Sequence, residues 1–422
     1  MKKEIIVGID VSKNFSYFSM IGPDDKQIGK QFKVNHTLDD LKAVAKKMKE
    51  VETRLKSQCV LVMESTGHYS SILFNFFHKT NFKVCMVNPI QTNSIKNTKV
   101  RKVKNDKIDA FRIAVLYRLG ELTPFQPVRE ELAKINVLCR QYFRLTDDSI
   151  MYKNHLIALV NQIFPGYEGV FSNITSLSSL FILENYSSPD KLLNAKRDFI
   201  VAELARLGRR GLDWANSKFD KLIAIAKSSL ELGSAPATAE IALKSDLVIL
   251  RTFYEQLEQI KAEISNLSKN VEEIQLVMSV TGIGLVSAAT FVSEIRDFKN
   301  FSSPRKLVAF CGIDPAVVES GQFKGTRIKI SKRGSGYLRR ILFLGALACI
   351  RKNNRGEYVN PVLANYYNEK VKSKPKKVAV IAIMHKLVNY IFAVLRDKKP
   401  FEIMSPEKHN NLYTLKRLQN AA

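Results

Sequence analysis

The chain has little with which to staple itself together or to hold a soft metal. It has five cysteines in 422 residues, Cys59, Cys85, Cys139, Cys311 and Cys349, with no Cys-x-x-Cys pair. That spacing excludes a disulfide scaffold and a zinc ribbon, and reads as small apolar residues buried in a reducing compartment. Its six histidines fall at no metal-ligand spacing. The opening Met-Lys-Lys-Glu-Ile-Ile-Val-Gly-Ile-Asp lacks the apolar region of a signal peptide, because Asp10 interrupts it. No apolar run is expected to approach the roughly 20 residues that span a bilayer, and Ile341–Ile350 reads as a core helix segment. A cytoplasmic protein without a membrane partner is expected. Acids are scarce too: 40 Asp+Glu stand against 66 Lys+Arg, a net charge of +26. The bases run the length of the chain, so the excess points to a polyanion partner. The plain alternative is a merely basic or ribosome-associated protein.

Where acids are scarce, their placement is informative. Asp106 and Asp109 sit in Lys-Asn-Asp-Lys-Ile-Asp-Ala, straight after Lys96, Lys99, Arg101, Lys102 and Lys104. Carboxylates weaken a phosphate-binding surface unless a divalent cation bridges them to the phosphate. On a helix, positions i and i+3 share a face about 5–6 Å apart, and two carboxylates there can share a hard ion such as Mg²⁺.

The order of elements gives these acids partners. Residues 4–10 form an apolar strand ending at Asp10, 14–21 its antiparallel neighbour, and 27–34 a third strand. Helical periodicity covers 38–56. Cys59–Met63 reads as a buried strand ending at Glu64, 70–79 as a helix, 83–87 as a strand and 106–119 as a helix. This is an α/β unit with a mixed sheet. Asp10 and Glu64 both end strands, and the helix from 106 can bring its two aspartates to the same end. Four such carboxylates suit two Mg²⁺ ions about 3.5–4 Å apart, the arrangement that serves phosphodiester transfer. Taken singly, each is more often a turn residue or a helix cap.

From 130 to 275 the pattern is almost wholly helical. Leu250, Phe253, Leu257, Ile260, Ile264, Leu267, Val271 and Ile274 step by threes and fours, as in a coiled-coil seam or a long amphipathic helix on a globular core. A third region opens at Thr281-Gly282-Ile283-Gly284 before an apolar helix, which suits either a phosphate-approaching hairpin or a plain helix-start turn. Leu307–Cys311 reads as a strand or a tight helix. A glycine-rich stretch then carries Lys324, Arg327, Lys329, Lys332, Arg333, Arg339 and Arg340, a credible phosphate-backbone surface.

Together these motifs resemble the DEDD transposases of bacterial insertion sequences of the IS one-ten type, a family that includes a pilin-gene invertase. The resemblance rests on Gly8-Ile9-Asp10, Met63-Glu64-Ser65-Thr66-Gly67-His68-Tyr69, Asp106 and Asp109 with their neighbours, Thr281-Gly282-Ile283-Gly284, Phe310-Cys311-Gly312-Ile313-Asp314-Pro315, Ser320-Gly321 and Ser331-Lys332-Arg333-Gly334. It implies a RuvC-like catalytic domain of the ribonuclease H fold over 1–150, a helical and coiled-coil region over 151–275, and a mainly helical transposase domain over 276–422. It implies catalysis by Asp10, Glu64, Asp106 and Asp109 with two Mg²⁺ (or Mn²⁺). It also implies a serine nucleophile, for which Ser320 is the matching position and Ser331 and Ser335 are rivals. Donor and target DNA, a structured guide RNA and a homo-oligomeric assembly (dimer or tetramer) are the implied partners, with action at the nucleoid. Lys99, Arg101, Lys102, Lys104, Gly282 and Gly284 join the seven later bases as the expected nucleic-acid contacts. A junction resolvase or a guide-free DNA invertase, needing the same acids, is the alternative, and a non-catalytic scaffold a third reading.

Overall fold

The computed structural model describes residues 4–64, 69–87, 106–122, 129–233, 237–316, 319–320, 323–324, 329–405 and 407–408; for 106, 107, 237, 319, 320, 323 and 324 it describes the backbone alone. Two compact units emerge, Met1–Val128 and Arg129–Ala422.

In the first unit the order is β1 (Ile5–Val11), β2 (Phe15–Ile21), β3 (Phe32–Asn35), α1 (Leu38–Leu55), β4 (Cys59–Glu64), α2 (Tyr69–Lys79), β5 (Lys83–Val87) and α3 (Asp106–Arg118). The described strands form one sheet in the order β3-β2-β1-β4-β5. β1 runs antiparallel to β2 and parallel to β4, and β4 parallel to β5. This is the mixed sheet expected, although β3 starts at Phe32 rather than near 27.

Strand alternation sorts the side chains onto two faces. Ile5, Val7 and Ile9 pack with Leu41, Val44 and Met48 of α1 and with Leu73 and Phe77 of α2. Ile6, Val60 and Val62 pack with Ile113 and Ala114 of α3. Central strands covered on both faces read as continuous apolar runs. Thr37 caps α1 by accepting from the Asp40 N–H, and Asp39 and Asp40 favour the positive end of that helix.

The second unit is built on α4 (Glu130–Ile163), a helix continuous through residue 150, where a domain boundary was expected. After it come α5 (Leu177–Asn185), α6 (Pro189–Leu193), α7 (Arg197–Gly208), α8 (Leu212–Glu231) and the long α9 (Ala237–Ser268). Tyr152 meets Phe253 at 5.5 Å and His155 acts on Asp246, so α4 and α9 run antiparallel. Leu243, Leu247 and Leu250 share a core with Leu156 and Val160. The stripe seen in the sequence is thus partly satisfied within one chain. The helix ends at Ser268 and the chain turns there, so Val271 is the N-cap of the next helix and Ile274 lies within it.

That turn leads into α10 (Glu272–Met278), α11 (Leu285–Ile295), α12 (Pro304–Cys311), a short hairpin of β6 (Glu319–Ser320) and β7 (Phe323–Lys324), α13 (Gly336–Ile350), α14 (Pro361–Val371) and α15 (Lys376–Asp397). Residues 307–311 are therefore helical. The absence of a long apolar run needs correction: α15 is, by length and composition, apolar enough to cross a membrane. Ala379, Ile383, Leu387, Ile391 and Leu395 of this helix are buried in the unit, the pattern of a core helix.

Candidate active site

The β1–β4 ladder runs from Ile5 opposite Cys59 to Ile9 opposite Met63. One more step in that register sets Asp10 opposite Glu64. Parallel neighbours lie about 4.8 Å apart, and positions of equal parity share a face. Asp10 and Glu64 therefore stand side by side on the face that α3 covers, at the C-terminal ends of the two central strands. Glu64 is buried, at 5% exposure.

Gly8 brings α3 to the same end. A Cβ at Gly8 would fall 2.1 Å from the Ala110 carbonyl oxygen and 2.9 Å from the Ala114 Cβ, so only glycine lets the helix lie this close to β1. Further along α3, Arg118 donates to the Glu4 carbonyl at 2.7 Å and to the Gly22 carbonyl at 2.9 Å. The helix thus runs antiparallel to β1, and its N-terminal turn points toward the end that holds Asp10 and Glu64. Asp106 opens that turn and Asp109 closes it. Asp109 is buried, at 7% exposure, and accepts from Arg112 Nη1 at 3.1 Å.

All four acids thus come from elements that converge on one end of the sheet. Among the described side chains no three of His, Cys, Asp and Glu close around a metal position; the Asp106 side chain is not among them. The donor set is carboxylate oxygen, which suits a hard divalent cation and not a soft one. Two buried carboxylates of like charge on neighbouring elements are costly without positive charge. Arg112 supplies it at Asp109, and a divalent cation is a further charge that such a donor set can hold. Arg112 escaped the sequence reading, although its i+3 spacing from Asp109 is a usable signal.

In the second unit Ser320 ends β6 and lies opposite Phe323 in the hairpin. Only its backbone is described, as for Lys324. A clasp forms the base of this segment. Pro315 bridges to Ile330, the Ala316 N–H donates to Lys329 O at 2.7 Å, and Ser331 N–H donates to Asp314 O at 2.8 Å. Ser331 Oγ donates to the Asp314 carboxylate at 2.5 Å. Ser335 caps α13, accepting from Leu338 N–H at 3.4 Å. Both rivals of Ser320 thus have structural engagements. Asp314, which sequence reasoning passed over as part of a turn, is the residue that ties the clasp.

The expected nucleic-acid contacts divide by fate. Lys99, Arg101, Lys102, Lys104 and Arg327 lie outside the described residues. Lys329, Lys332 and Arg333 are exposed around the clasp. Arg339 donates to the Gly334 and Cys311 carbonyls at 2.7 and 3.4 Å, so it braces the loop. Arg340 pairs with Asp147 at 2.8 Å and lies over the Phe143 ring. Gly282 has φ +91°, and a Cβ there would lie 2.7 Å from the Gly345 carbonyl oxygen, so it serves close packing against α13. Gly284 at the start of α11 has open space beside it.

Comparison with known proteins bears on both units. A model of DEDD transposases of the IS110 type matches residues 7–165, and a model described as transposase IS116/IS110/IS902 family matches residues 274–367. The chain is 22% identical over 413 residues to an uncharacterized 43.6 kDa protein of insertion element IS110 from Streptomyces coelicolor, covering 95% of this chain and 96% of the relative. It is 27% identical over 158 residues to a pilin gene-inverting protein of Moraxella bovis, covering 36% of this chain and 47% of that protein. Among solved structures, Thermus thermophilus RuvC in complex with a Holliday junction substrate aligns at 11% identity with a TM-score of 0.22, over 29% of this chain and 99% of RuvC.

Proposed function

From the premise that this chain belongs to the IS116/IS110/IS902 transposase family, enzymes that cut and recombine DNA, we propose that it recombines insertion-sequence DNA through Asp10, Glu64, Asp106, Asp109 and Ser320. Membership in this DEDD family implies dependence on a divalent metal. The observation that carries the proposal is the register that sets Asp10 beside Glu64 with the N-terminal turn of α3 aimed at them.

Asp10, Glu64, Asp106 and Asp109 would hold Mg²⁺, two ions with all four in place. Bound there, the metal supplies Lewis-acid stabilisation of a phosphodiester oxygen. Ser320 would attack phosphorus, forming a serine–phosphate ester as a deoxyribose hydroxyl leaves with the proton. A second deoxyribose hydroxyl then displaces the serine, so each bond broken is matched by one formed. The clasp of Asp314 and Ser331 holds the base of the segment that carries Ser320, and exposed Lys329, Lys332 and Arg333 offer charge to the DNA backbone. A structured guide RNA would read donor and target sequence, and a homodimer or tetramer would bring two DNA partners together. This leaves the diffuse positive surface to bind backbone and shape.

The likeness to pilin gene-inverting proteins favours a second reading, inversion without a guide. Sequencing the nucleic acid that copurifies with the protein separates the two: a discrete RNA from beside the gene supports guidance, and random nucleic acid the second reading. The catalytic reading itself is tested by recombination between plasmid-borne element ends. Asp10→Asn, Glu64→Gln and Ser320→Ala should each abolish product, and full activity in Ser320→Ala would refute the serine's role.

A further inference from the structure

Helices α5–α8 lie between the two matched regions, and nothing above uses them. They carry an open cleft of about 480 Å³ between the end of α7 and the start of α8, closed on one side by Phe171 and Ser176. Trp214, the single tryptophan of the chain, forms its plate. The half-buried ring is seated on Gly208, where a Cβ would fall 2.6 Å from it. The ring therefore cannot sink further into the core, and it is held as a rigid platform at the surface.

Positive charge surrounds this plate. Lys218 Nζ lies 5.9 Å from the ring centroid and the Arg210 guanidinium 6.0 Å from it. Burial lowers the Lys218 amine, and Lys221 and Arg210 push it the same way by repulsion. Asp220, the acid closest to Lys218 in sequence, is taken by Arg197 at 2.8 Å. Like charges crowded beside a low-dielectric ring cost free energy, and an anion would relieve that cost. Cations alone would suit any phosphate, and a ring alone any apolar group. Side by side in an open cleft they match a base joined to a phosphate.

We propose that this cleft takes one unpaired nucleotide of a nucleic-acid strand, with its base stacked on Trp214 and its phosphate held by Arg210 and Lys218. The nucleotide must be unpaired because stacking neighbours cover the faces of a base inside a duplex. The site is independent of the carboxylates and of Ser320, so it stands or falls apart from the recombination chemistry.

Because Trp214 is the only tryptophan, its fluorescence reports this cleft alone. Full-length protein is titrated with a mixed-sequence 12-nucleotide single strand, as RNA and as DNA, and with the matching duplex, while labelled-strand anisotropy records total binding. Single strands should quench Trp214 in step with anisotropy, and the strand that does so at lower concentration identifies the source as RNA or DNA. Arg210→Ala, an exposed change that leaves the core intact, should weaken quench-monitored affinity about five- to tenfold and flatten its log–log salt slope by about 0.7–0.9. The proposal is overturned if anisotropy saturates while Trp214 emission is unchanged. Equal quenching by the duplex, an unchanged Arg210→Ala titration or no binding at all would overturn it as well.

Discussion

Replacing Gly8 with alanine tests the link between backbone packing and the site. The added Cβ would lie 2.1 Å from the Ala110 carbonyl oxygen, against 3.4 Å for the near edge of ordinary contact. Neither group is the free end of a flexible side chain, so α3 must move off β1 by about 1.3 Å. Overpacking of this kind costs about 1–3 kcal/mol of stability. The functional cost should be larger, because the same movement carries Asp106 and Asp109 away from Asp10 and Glu64. A misplacement of about 1 Å commonly lowers a rate about 100-fold. Ile9→Val serves as the control: Ile9 packs on the opposite face of the sheet, and its truncation costs about 0.5–1.5 kcal/mol. The assay is calorimetric Mn²⁺ titration together with recombination rate, both below the melting transition of each variant. Gly8→Ala should lose metal affinity and about 100-fold in rate, while Ile9→Val keeps both. Equal metal affinity and rate in Gly8→Ala and the parent protein would refute the reasoning.

Three further outcomes are expected. Saturating Mg²⁺ at about 100 times its dissociation constant should stabilise the parent protein by about 2.7 kcal/mol, whereas Glu64→Gln should show little metal-dependent rise in melting temperature. Ser331→Ala should cost about 1–2 kcal/mol by leaving the Asp314 carboxylate short of a donor, yet still form a covalent protein–DNA species on denaturing gels; Ser320→Ala should form none. Glu240 is held down to about 2 by hydrogen bonds from Lys191 and Ser187, against 4.5 when free. Its folded value is depressed, so its stabilisation is present above 4.5 and fades as pH falls toward 2. Solvent screening limits the effect to about 1 kcal/mol, and Glu240→Gln should flatten the acid limb of the melting profile by that amount.

The first unit was largely legible because its signals are local. Asp10 and Glu64 end apolar runs, residues 38–56 carry a helical period, and Asp106 and Asp109 open another helix. Their convergence was an inference from topology, and what makes it tight is Gly8, whose meaning lies in a helix about a hundred residues away. The second unit was harder because its partners are distant. The Leu250 stripe packs partly on Leu156 and Val160, and no local pattern marks the helix end at Ser268. Gly282 reads in the sequence as a phosphate-approaching glycine or a helix-start turn, and its close approach to Gly345 is visible only in the fold. The apolar length of α15 went unnoticed because His385 and Lys386 divide it. The clasp of Asp314 with Ser331 spans 17 residues, and nothing in Ile-Asp-Pro distinguishes it from an ordinary turn.

The most direct test of the central claim locates the metal. With Fe²⁺ in place of Mg²⁺, ascorbate and peroxide cut the polypeptide where the ion sits, and mass spectrometry of the fragments reads the positions. Cuts should cluster near Asp10, near Glu64 and within 106–109, be displaced by excess Mg²⁺, and vanish in Asp10→Asn. Cleavage elsewhere, or none under conditions that support recombination, would contradict the four-carboxylate site.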